Sequence, residues 1–206
     1  LTTLSYYSRK GLCISKFINI NSCGSIDSKN IIEQLAFKPQ LINIMYVNNE
    51  VGSINPLKSL LPKIKSISPN SHVHVDAVQA LGKIDLTWVH NSPIDSLSLS
   101  AHKVGGFKGV GALYLRKRDF LKVSLLKGGG QEQHKRAGTE NTPGIVSFAL
   151  VAKEIKENNP WNNIYKLHKY LESSLLQIPS VSLNSDSKTG VSNTVNFYIK
   201  NIEAYR

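Results

Sequence analysis

Apolar residues recur at helical spacing in several segments of the chain, and this spacing predicts a helix in each segment: about 28–36, 56–66, 143–157 and 161–177. Asp27 can cap the first of these helices, and Pro56 and Pro160 are suited to open the second and the last. The residues predicted to face inward in the first two helices share this apolar spacing: Ile31, Ile32, Leu35, Leu57, Leu60, Leu61 and Ile64.

Shorter runs have the pattern of β-strands: 13–20, 41–47, 73–76, 96–100, 111–115 and 194–199. Strands and helices alternate up to about residue 90, which predicts an α/β fold with a mainly parallel sheet flanked by helices. From about residue 158 the pattern changes to a long helix, a Ser/Asn-rich stretch over 180–190 and the last β-like run. We therefore expect a large domain over 1–157 and the incomplete start of a small α+β domain over 158–206.

The chain of 206 residues has 25 Lys plus Arg against 14 acidic residues, a formal net charge of +11. Such a charge suits either an anionic partner or a lysine-rich solvated surface. The basic residues are scattered, without the compact block typical of a nucleic-acid patch: Lys58, Lys63, Lys65 and Lys83 are examples. The pattern favours the solvated surface and argues against nucleic acid, although a non-catalytic basic binding module on a decayed enzyme fold stays as an alternative.

Cysteine content and apolar patterning narrow the class of protein further. Cys13 and Cys23 are too few for a disulfide scaffold and lack metal-ligand spacing, so no metal site is expected. Sparse cysteine suits a reducing compartment, the cytoplasm or an organelle matrix in a eukaryote. No apolar run has the length of a membrane span, so we expect no membrane partner.

Polar residues cluster where the predicted strands end, which is where open α/β sheets bind ligands. The clusters are Asn48-Asn49-Glu50, Asp76 with Gln79, Ser98–Lys103 before a glycine-rich loop, and a segment from Gly128 to Asn141. Each has a structural alternative when taken alone: a turn, a helix N-cap at Asp76, a solvated lysine, and a surface loop with a capping residue.

Three of these clusters also have a chemical interpretation. A carboxylate at a buried strand end, as at Asp76, needs a cationic or donor partner. A lysine at a strand end beside several glycines, as at Lys103, can be a nucleophilic amine that forms a Schiff base. Ser100 and His102 can donate to a phosphate or a ring, and Arg136 with Thr139 can meet an anion.

Taken in order, the motifs Asn-Asn-Glu, Asp-x-x-Gln, Ser-Ala-His-Lys and Gly-Gly-Gly-Gln-Glu, followed by Arg-Ala-Gly-Thr-Glu-Asn, are far more specific than any one of them. With these motifs the sequence resembles the cysteine desulfurases, pyridoxal-phosphate enzymes of the class V aminotransferase family. The resemblance extends from about residue 9 to the C-terminus and is strongest over 45–145. The Gly-Gly-Gly-Gln-Glu form is similar to the branch that serves housekeeping or nitrogen-fixation iron–sulfur assembly.

The resemblance implies the large domain of a fold-type I enzyme and a role for each matching residue. Lys103 would hold pyridoxal 5'-phosphate as a Schiff base, with His102 as its catalytic neighbour, and Asp76 would pair with the pyridine nitrogen. The other implied cofactor contacts are Asn49 and Gln79 near the phenolic oxygen and the substrate, and Ser100, His102 and Thr139 near the phosphate. Since Thr139 would reach the neighbouring subunit's site, the resemblance also implies a homodimer.

The resemblance further implies a reaction that takes sulfur from L-cysteine, leaves L-alanine, and forms an enzyme persulfide for an iron–sulfur scaffold or another sulfur acceptor. The family's Ser-rich loop with the catalytic cysteine and its Thr-rich phosphate loop have no match here, and neither Cys13 nor Cys23 takes the catalytic role. We therefore expect a fragment that is inactive alone. Selenocysteine lyase and other class V enzymes stay as alternatives, and Gln133-His134-Lys135 departs from the family's usual arginine after Gln-Glu.

Overall fold

The computed structural model describes residues 2–117, 124, 126–158, 161–184 and 189–203. Its main sheet has four strands in the order β1-β2-β3-β4, which are Leu41–Met45, His72–Asp76, Ser96–Ser100 and Gly111–Leu115. The pairs β1–β2 and β2–β3 are parallel, and β4 pairs antiparallel with β3. The predicted α/β fold with a mainly parallel sheet is confirmed.

The strand register brings the carboxyl ends of the parallel strands to one edge of the sheet. Met45 is paired with Asp76, and Asp76 is paired with Ser98. The predicted polar clusters that follow these strands therefore emerge from the same edge.

One face of the sheet carries the core. Alternate residues on that face are buried among helix residues: Ile42, Ile44, Val73, Val75 and Leu97. Helix α3 (Leu57–Ile67) contributes all of its predicted inward residues to the same cluster, with Leu57, Leu61 and Ile64 fully buried. Each such side chain stabilises the fold by about 1.5–3 kcal/mol through burial.

The predicted helix after Asp27 is α2 (Ser28–Gln34), and it continues into a 3₁₀ turn, Leu35–Phe37. The Asp27 carboxylate accepts hydrogen bonds from the backbone N–H groups of Lys29 and Asn30 at 2.9 and 3.3 Å. The predicted cap is therefore confirmed, because it satisfies two amides that a helix start leaves unpaired. Helix α1 (Thr2–Arg9), which precedes it, had no prediction from the sequence.

The predicted strand over 13–20 is wrong. The structure assigns no strand to 13–19, and only Ile20 makes an isolated bridge, to Ile26. Ile14 and Phe17 are exposed, at 93% and 56%. A strand needs a neighbouring strand for its backbone hydrogen bonds, and this apolar run pairs with none among the described residues.

The later helices and strands agree with the predictions in kind. The short turn α4 (Gln131–His134) was not predicted and is not a regular right-handed helix. Helices α5 (Thr142–Asn158) and α6 (Trp161–Leu175) are the predicted long helices. Pro160, which was predicted to open α6, lies outside the described residues. The small sheet joins β5 (Val181–Leu183) and β6 (Phe197–Ile199), so the last strand is shorter than predicted. Residues 185–188 of the Ser/Asn-rich stretch lie outside the described part, and the division at 157/158 stays a prediction.

Candidate functional site

The candidate site lies at the carboxyl edge of β2 and β3. Asp76 is the last residue of β2, and Ser100 is the last residue of β3. A 3₁₀ turn, Ala101–Lys103, follows directly, so His102 and Lys103 emerge beside the end of β2. Ser100, Gln79 and Asp76 are half-buried, whereas His102 and Lys103 are exposed.

Asp76 combines a structural contact with a free carboxylate oxygen. Its Oδ1 accepts a hydrogen bond from the backbone N–H of Val78 at 3.0 Å. Residues 78–83 form turns, so the alternative of Asp76 as the N-cap of a helix from Ala77 is wrong. Among the described residues nothing donates to Oδ2, which leaves this oxygen for a ligand.

The Asp76 carboxylate also acts on its neighbour along the strand. Burial lowers the pKa of His74, and the nearby charge of Asp76 opposes that effect. His74, two residues before Asp76, therefore lies in the electrostatic field of the site although the sequence analysis gave it no role.

Gln79 is held by a lysine that the sequence analysis took for a solvated surface residue. The ammonium group of Lys83 donates a hydrogen bond to Gln79 Oε1. Burial lowers the pKa of Lys83, and the charge of Lys103 lowers it further. The structure thus pairs Lys83 with Gln79 and leaves Lys83 within electrostatic reach of Lys103, although only Gln79 and Lys103 were predicted as site residues.

Ser100 and His102 form a pair in front of the glycine-rich loop. Ser100 Oγ and His102 Nδ1 are 2.8 Å apart, which fixes the imidazole ring. The loop that follows turns sharply, because Gly105 and Gly109 have φ values of +96° and +84°, which other residues rarely adopt. The backbone N–H of Phe107 donates to Ser147 Oγ of α5 at 3.2 Å, so the loop is attached to that helix.

Within the described part of the chain, no hydrogen bond or ion pair joins the side chains of Asn49 and Thr139 to the other predicted site residues. Asn49 is exposed in the turn after β1, where the neighbouring Asn48 accepts from the N–H groups of Glu50 and Val51 at 2.8 and 3.0 Å. The cluster Asn48-Asn49-Glu50 therefore forms a turn, which was its structural alternative to a ligand-binding role. Thr139 is exposed as well.

Arg136 was expected to bind an anion, but its guanidinium instead makes contacts within its own loop. Its guanidinium donates to the carbonyl of Gly138 at 2.6 Å and lies 3.7 Å from the Glu132 carboxylate. Of the pair Arg136 and Thr139, the structure therefore leaves only the Thr139 side chain without an internal partner among the described residues.

A strained turn follows the glycine triplet. Glu132, Gln133 and His134 all have left-handed backbone conformations, with φ values of +49°, +57° and +61°. Such a conformation costs roughly 1–2 kcal/mol per non-glycine residue. The sequence predicts a loop here but not its left-handed geometry, because Glu and Gln rarely adopt it. Strain of this kind is common at functional sites.

The side chains at the carboxyl edge match the parts of a phosphorylated aromatic aldehyde. An exposed amine at Lys103 suits the aldehyde, and the free Oδ2 of Asp76 suits a protonated ring nitrogen. The hydroxyl–imidazole pair Ser100–His102 suits a phosphate, and Gln79 can donate through its amide nitrogen. The residues present therefore fit pyridoxal phosphate by their chemistry.

Metal-ligand clusters and membrane-spanning helices are both absent from the described residues. No group of three or more His, Cys, Asp or Glu is arranged to hold a metal ion in this part of the chain. None of the helices described there is both long and apolar enough to cross a bilayer.

Comparison with known proteins points to one family. The profile of the family described as Aminotransferase class-V matches residues 6–206. A cysteine desulfurase from Nostoc sp. is 38% identical over 190 residues, covering 91% of this chain and 46% of its own length. Cysteine desulfurase IscS from Clostridium botulinum is 36% identical over 208 residues, covering 98% of this chain and 51% of its own length.

Solved structures agree with these relatives. A NifS-like protein has a TM-score of 0.84 at 33% identity, covering 98% of this chain and 55% of its own. The NifS-like protein from Rickettsia africae has a TM-score of 0.87 at 30% identity, covering 98% of this chain and 57% of its own. SspA in complex with cysteine has a TM-score of 0.77 at 30% identity, covering 97% of this chain and 55% of its own. The chain thus spans about half the length of the curated relatives it matches.

Proposed function

The chain belongs to the aminotransferase class-V family, and we propose that it is the cofactor-binding part of a pyridoxal-phosphate-dependent cysteine desulfurase. The observation that carries this proposal is the grouping of Asp76, Gln79, Ser100, His102 and Lys103 at the carboxyl edge of β2 and β3. Support comes from relatives named cysteine desulfurase. One structural neighbour was solved with cysteine.

Lys103 is the residue that we assign to covalent attachment of the cofactor. Its side chain is exposed on a turn whose backbone is tied to the sheet, since Ala101 N–H donates to Val110 carbonyl at 3.1 Å. An amine held in this way can reach an aldehyde and can also carry a proton at Nζ.

Asp76 is the residue that we assign to the pyridine nitrogen. Pyridoxal phosphate supplies an electron sink when it is bound, and that sink works best with a protonated ring nitrogen. A carboxylate that accepts a hydrogen bond from this nitrogen favours its protonated form. The Val78 amide occupies Oδ1, which leaves Oδ2 for this contact.

The remaining residues would orient the cofactor. Ser100 and His102 would donate to its phosphate, Gln79 would donate to its phenolic oxygen, and Asn49 would lie near the same oxygen and the substrate. Thr139 would contact the phosphate in the neighbouring subunit's site, which requires a homodimer. An exposed Thr139 and an exposed Asn49 are compatible with contacts made only in the assembled enzyme.

The proposed reaction of the whole protein transfers the sulfur of L-cysteine to an enzyme cysteine, leaves L-alanine, and passes the sulfur to an iron–sulfur scaffold or another acceptor protein. Cys13 and Cys23 are half-buried free cysteines. The family's Ser-rich loop with the catalytic cysteine has no match at either position, so we assign neither to the sulfur-accepting role. We further propose that the protein works in the cytoplasm or in an organelle matrix.

The test is a comparison of substrates with the full-length protein loaded with pyridoxal phosphate. We expect L-cysteine to give L-alanine and, with a thiol reductant, sulfide in equal amounts. A strong preference for L-selenocysteine would instead identify a selenocysteine lyase. Failure to bind pyridoxal phosphate, together with salt-dependent affinity for DNA or RNA, would favour the basic binding module.

A further inference from the structure

Lys83 occupies a fixed, half-buried position next to the site. The preceding residue, Gly82, has φ of +73°, and a Cβ atom there would lie 2.9 Å from Ile155 Cδ1 and 3.4 Å from Trp161 Nε1. The backbone of this turn is therefore packed closely under α5 and α6. A lysine that follows such a tightly packed glycine has little freedom in where its stem begins.

The Lys83 ammonium is directed to Gln79 rather than to bulk water. It donates to Gln79 Oε1 across one turn of the chain. Its pKa is lowered first by burial and then by the charge of Lys103. Lys83 therefore lies within the electrostatic field of the proposed cofactor lysine.

This contact determines which end of the Gln79 amide faces the site. A lysine ammonium has three donors and no acceptor, so it can bond only to the carbonyl oxygen of an amide. With Oε1 held by Lys83, the Nε2 group of Gln79 is the end that remains for a ligand. Without Lys83 the amide is able to rotate and present either its oxygen or its nitrogen.

We propose that Lys83 is a positioning residue that locks Gln79 as a hydrogen-bond donor toward an anionic oxygen of the bound cofactor. The inference rests on the proposed function, because the oxygen belongs to the ring of pyridoxal phosphate. Lys83 itself touches neither the ring nor the substrate in this arrangement, and it acts through Gln79.

The test measures the pH dependence of the absorbance of bound pyridoxal phosphate in the full-length protein. Lys83→Met keeps the apolar stem but removes the donors, so the anionic oxygen loses a correctly oriented hydrogen bond. We expect the midpoint of the absorbance titration to rise by about one pH unit, a tenfold change in proton affinity that equals roughly one hydrogen bond to a charged group. Lys83→Arg, which also has donors only, should keep the midpoint within about a third of a unit.

Two comparisons separate positioning from a general structural effect. Lys63→Met alters an exposed lysine on α3 and should leave the midpoint unchanged. In a Gln79→Ala background, Lys83→Met should cause no further shift, because the residue through which it acts is gone.

The outcomes also separate this inference from the proposed function. If the unaltered protein shows no absorbance from bound pyridoxal phosphate, the proposed function fails. If it does bind the cofactor but Lys83→Met titrates like Lys63→Met, the positioning role is refuted while the function stands. If Lys83→Met shifts the titration midpoint fully even in the Gln79→Ala background, the positioning role of Lys83 is refuted as well.

Discussion

At the amino end of β2 and β3, polar side chains bond to one another. Lys65 of α3 donates to the Asp95 carboxylate at 2.6 Å and to the Ser71 carbonyl at 2.7 Å. Ser96 Oγ lies 2.7 Å from both His72 Nε2 and His74 Nδ1. At the carboxyl end of the same strands, Asp76 Oδ2 and Lys103 have no such internal partners among the described residues.

Both ends of β2 and β3 have charged and polar residues, but the two ends differ in how deeply these residues are buried and in whether their hydrogen bonds are satisfied. Ser71, His72 and Ser96 are at most 8% exposed, whereas His102 and Lys103 are exposed. A buried polar group must be paired to be stable, so the amino-end network is a structural feature. At the other end Asp76 Oδ2 and Lys103 lack a partner among the described residues, and such available polar groups are typical of a ligand site.

The largest effect expected from this comparison of the two strand ends is at Lys103. Lys103→Ala removes the only amine that we assign to cofactor attachment, so we expect complete loss of the absorbance of covalently held pyridoxal phosphate in the full-length protein. Because the side chain is exposed, stability should change by less than about 0.5 kcal/mol. Absorbance spectra and thermal unfolding of the purified variant give the two measurements.

The neighbouring loop offers the control for this prediction. Lys108→Ala changes another exposed lysine, five residues further along the same loop, and should leave the absorbance intact. Retention of the covalent cofactor band in Lys103→Ala would remove Lys103 from its assigned role.

The opposite response is expected at the amino end. Lys65→Met breaks the bonds to Asp95 and Ser71 and leaves a partly buried carboxylate without its cation. We expect a loss of about 2 kcal/mol in the free energy of unfolding, between the values for an exposed and a fully buried pair. Cofactor absorbance per folded molecule should not change.

A matched lysine on the same helix makes this measurement specific. Lys63 is exposed on α3, and Lys63→Met should alter the unfolding free energy by no more than about 0.5 kcal/mol. Chemical denaturation of both variants gives the difference. Equal stability of the two would mean that the Lys65–Asp95 pair contributes nothing net.

The sequence predicts those parts of the molecule whose pattern reflects burial. The apolar spacing of Leu57, Leu60, Leu61 and Ile64 marks one face of a helix, and all of these residues are buried in α3. The alternation of Ser96–Ser100 marks a strand with one polar face. The residues 13–20 have an equally apolar pattern but form no strand, because pairing depends on a partner that local pattern does not reveal.

Lysine residues show the same limit within the site. The sequence treats Lys58, Lys63, Lys65 and Lys83 alike, as scattered surface charges. The structure places Lys65 against Asp95 and Lys83 against Gln79. Which acceptor an ammonium meets is decided by tertiary packing, and a lysine stem can cover several ångströms of apolar surface before its charge emerges.

The smallest expected effect is the pH dependence of the amino-end network. Burial lowers the pKa of His72 and of His74 below the usual 6.5, and the charges of Asp95 and Asp76 only partly oppose this. As the pH falls below about 6.5, the unfolded chain takes up protons before the folded one, so stability decreases, by at most about 1.4 kcal/mol per pH unit for each histidine.

The carboxylate of Asp95 acts in a separate, more acidic window. Burial raises its pKa, but the hydrogen bonds from Lys65 and from the Val73 amide outweigh that effect and hold the pKa below the usual 3.8. Its contribution is therefore complete above about pH 5 and is lost progressively at lower pH. Between about pH 5 and 6.5, above the Asp95 window, the slope of stability against pH reports on the histidines, and His72→Gln should make it shallower. An unchanged slope in denaturation curves across this range would show that His72 is protonated equally in the folded and unfolded chain, and that the Ser96 hydroxyl does not hold its ring neutral.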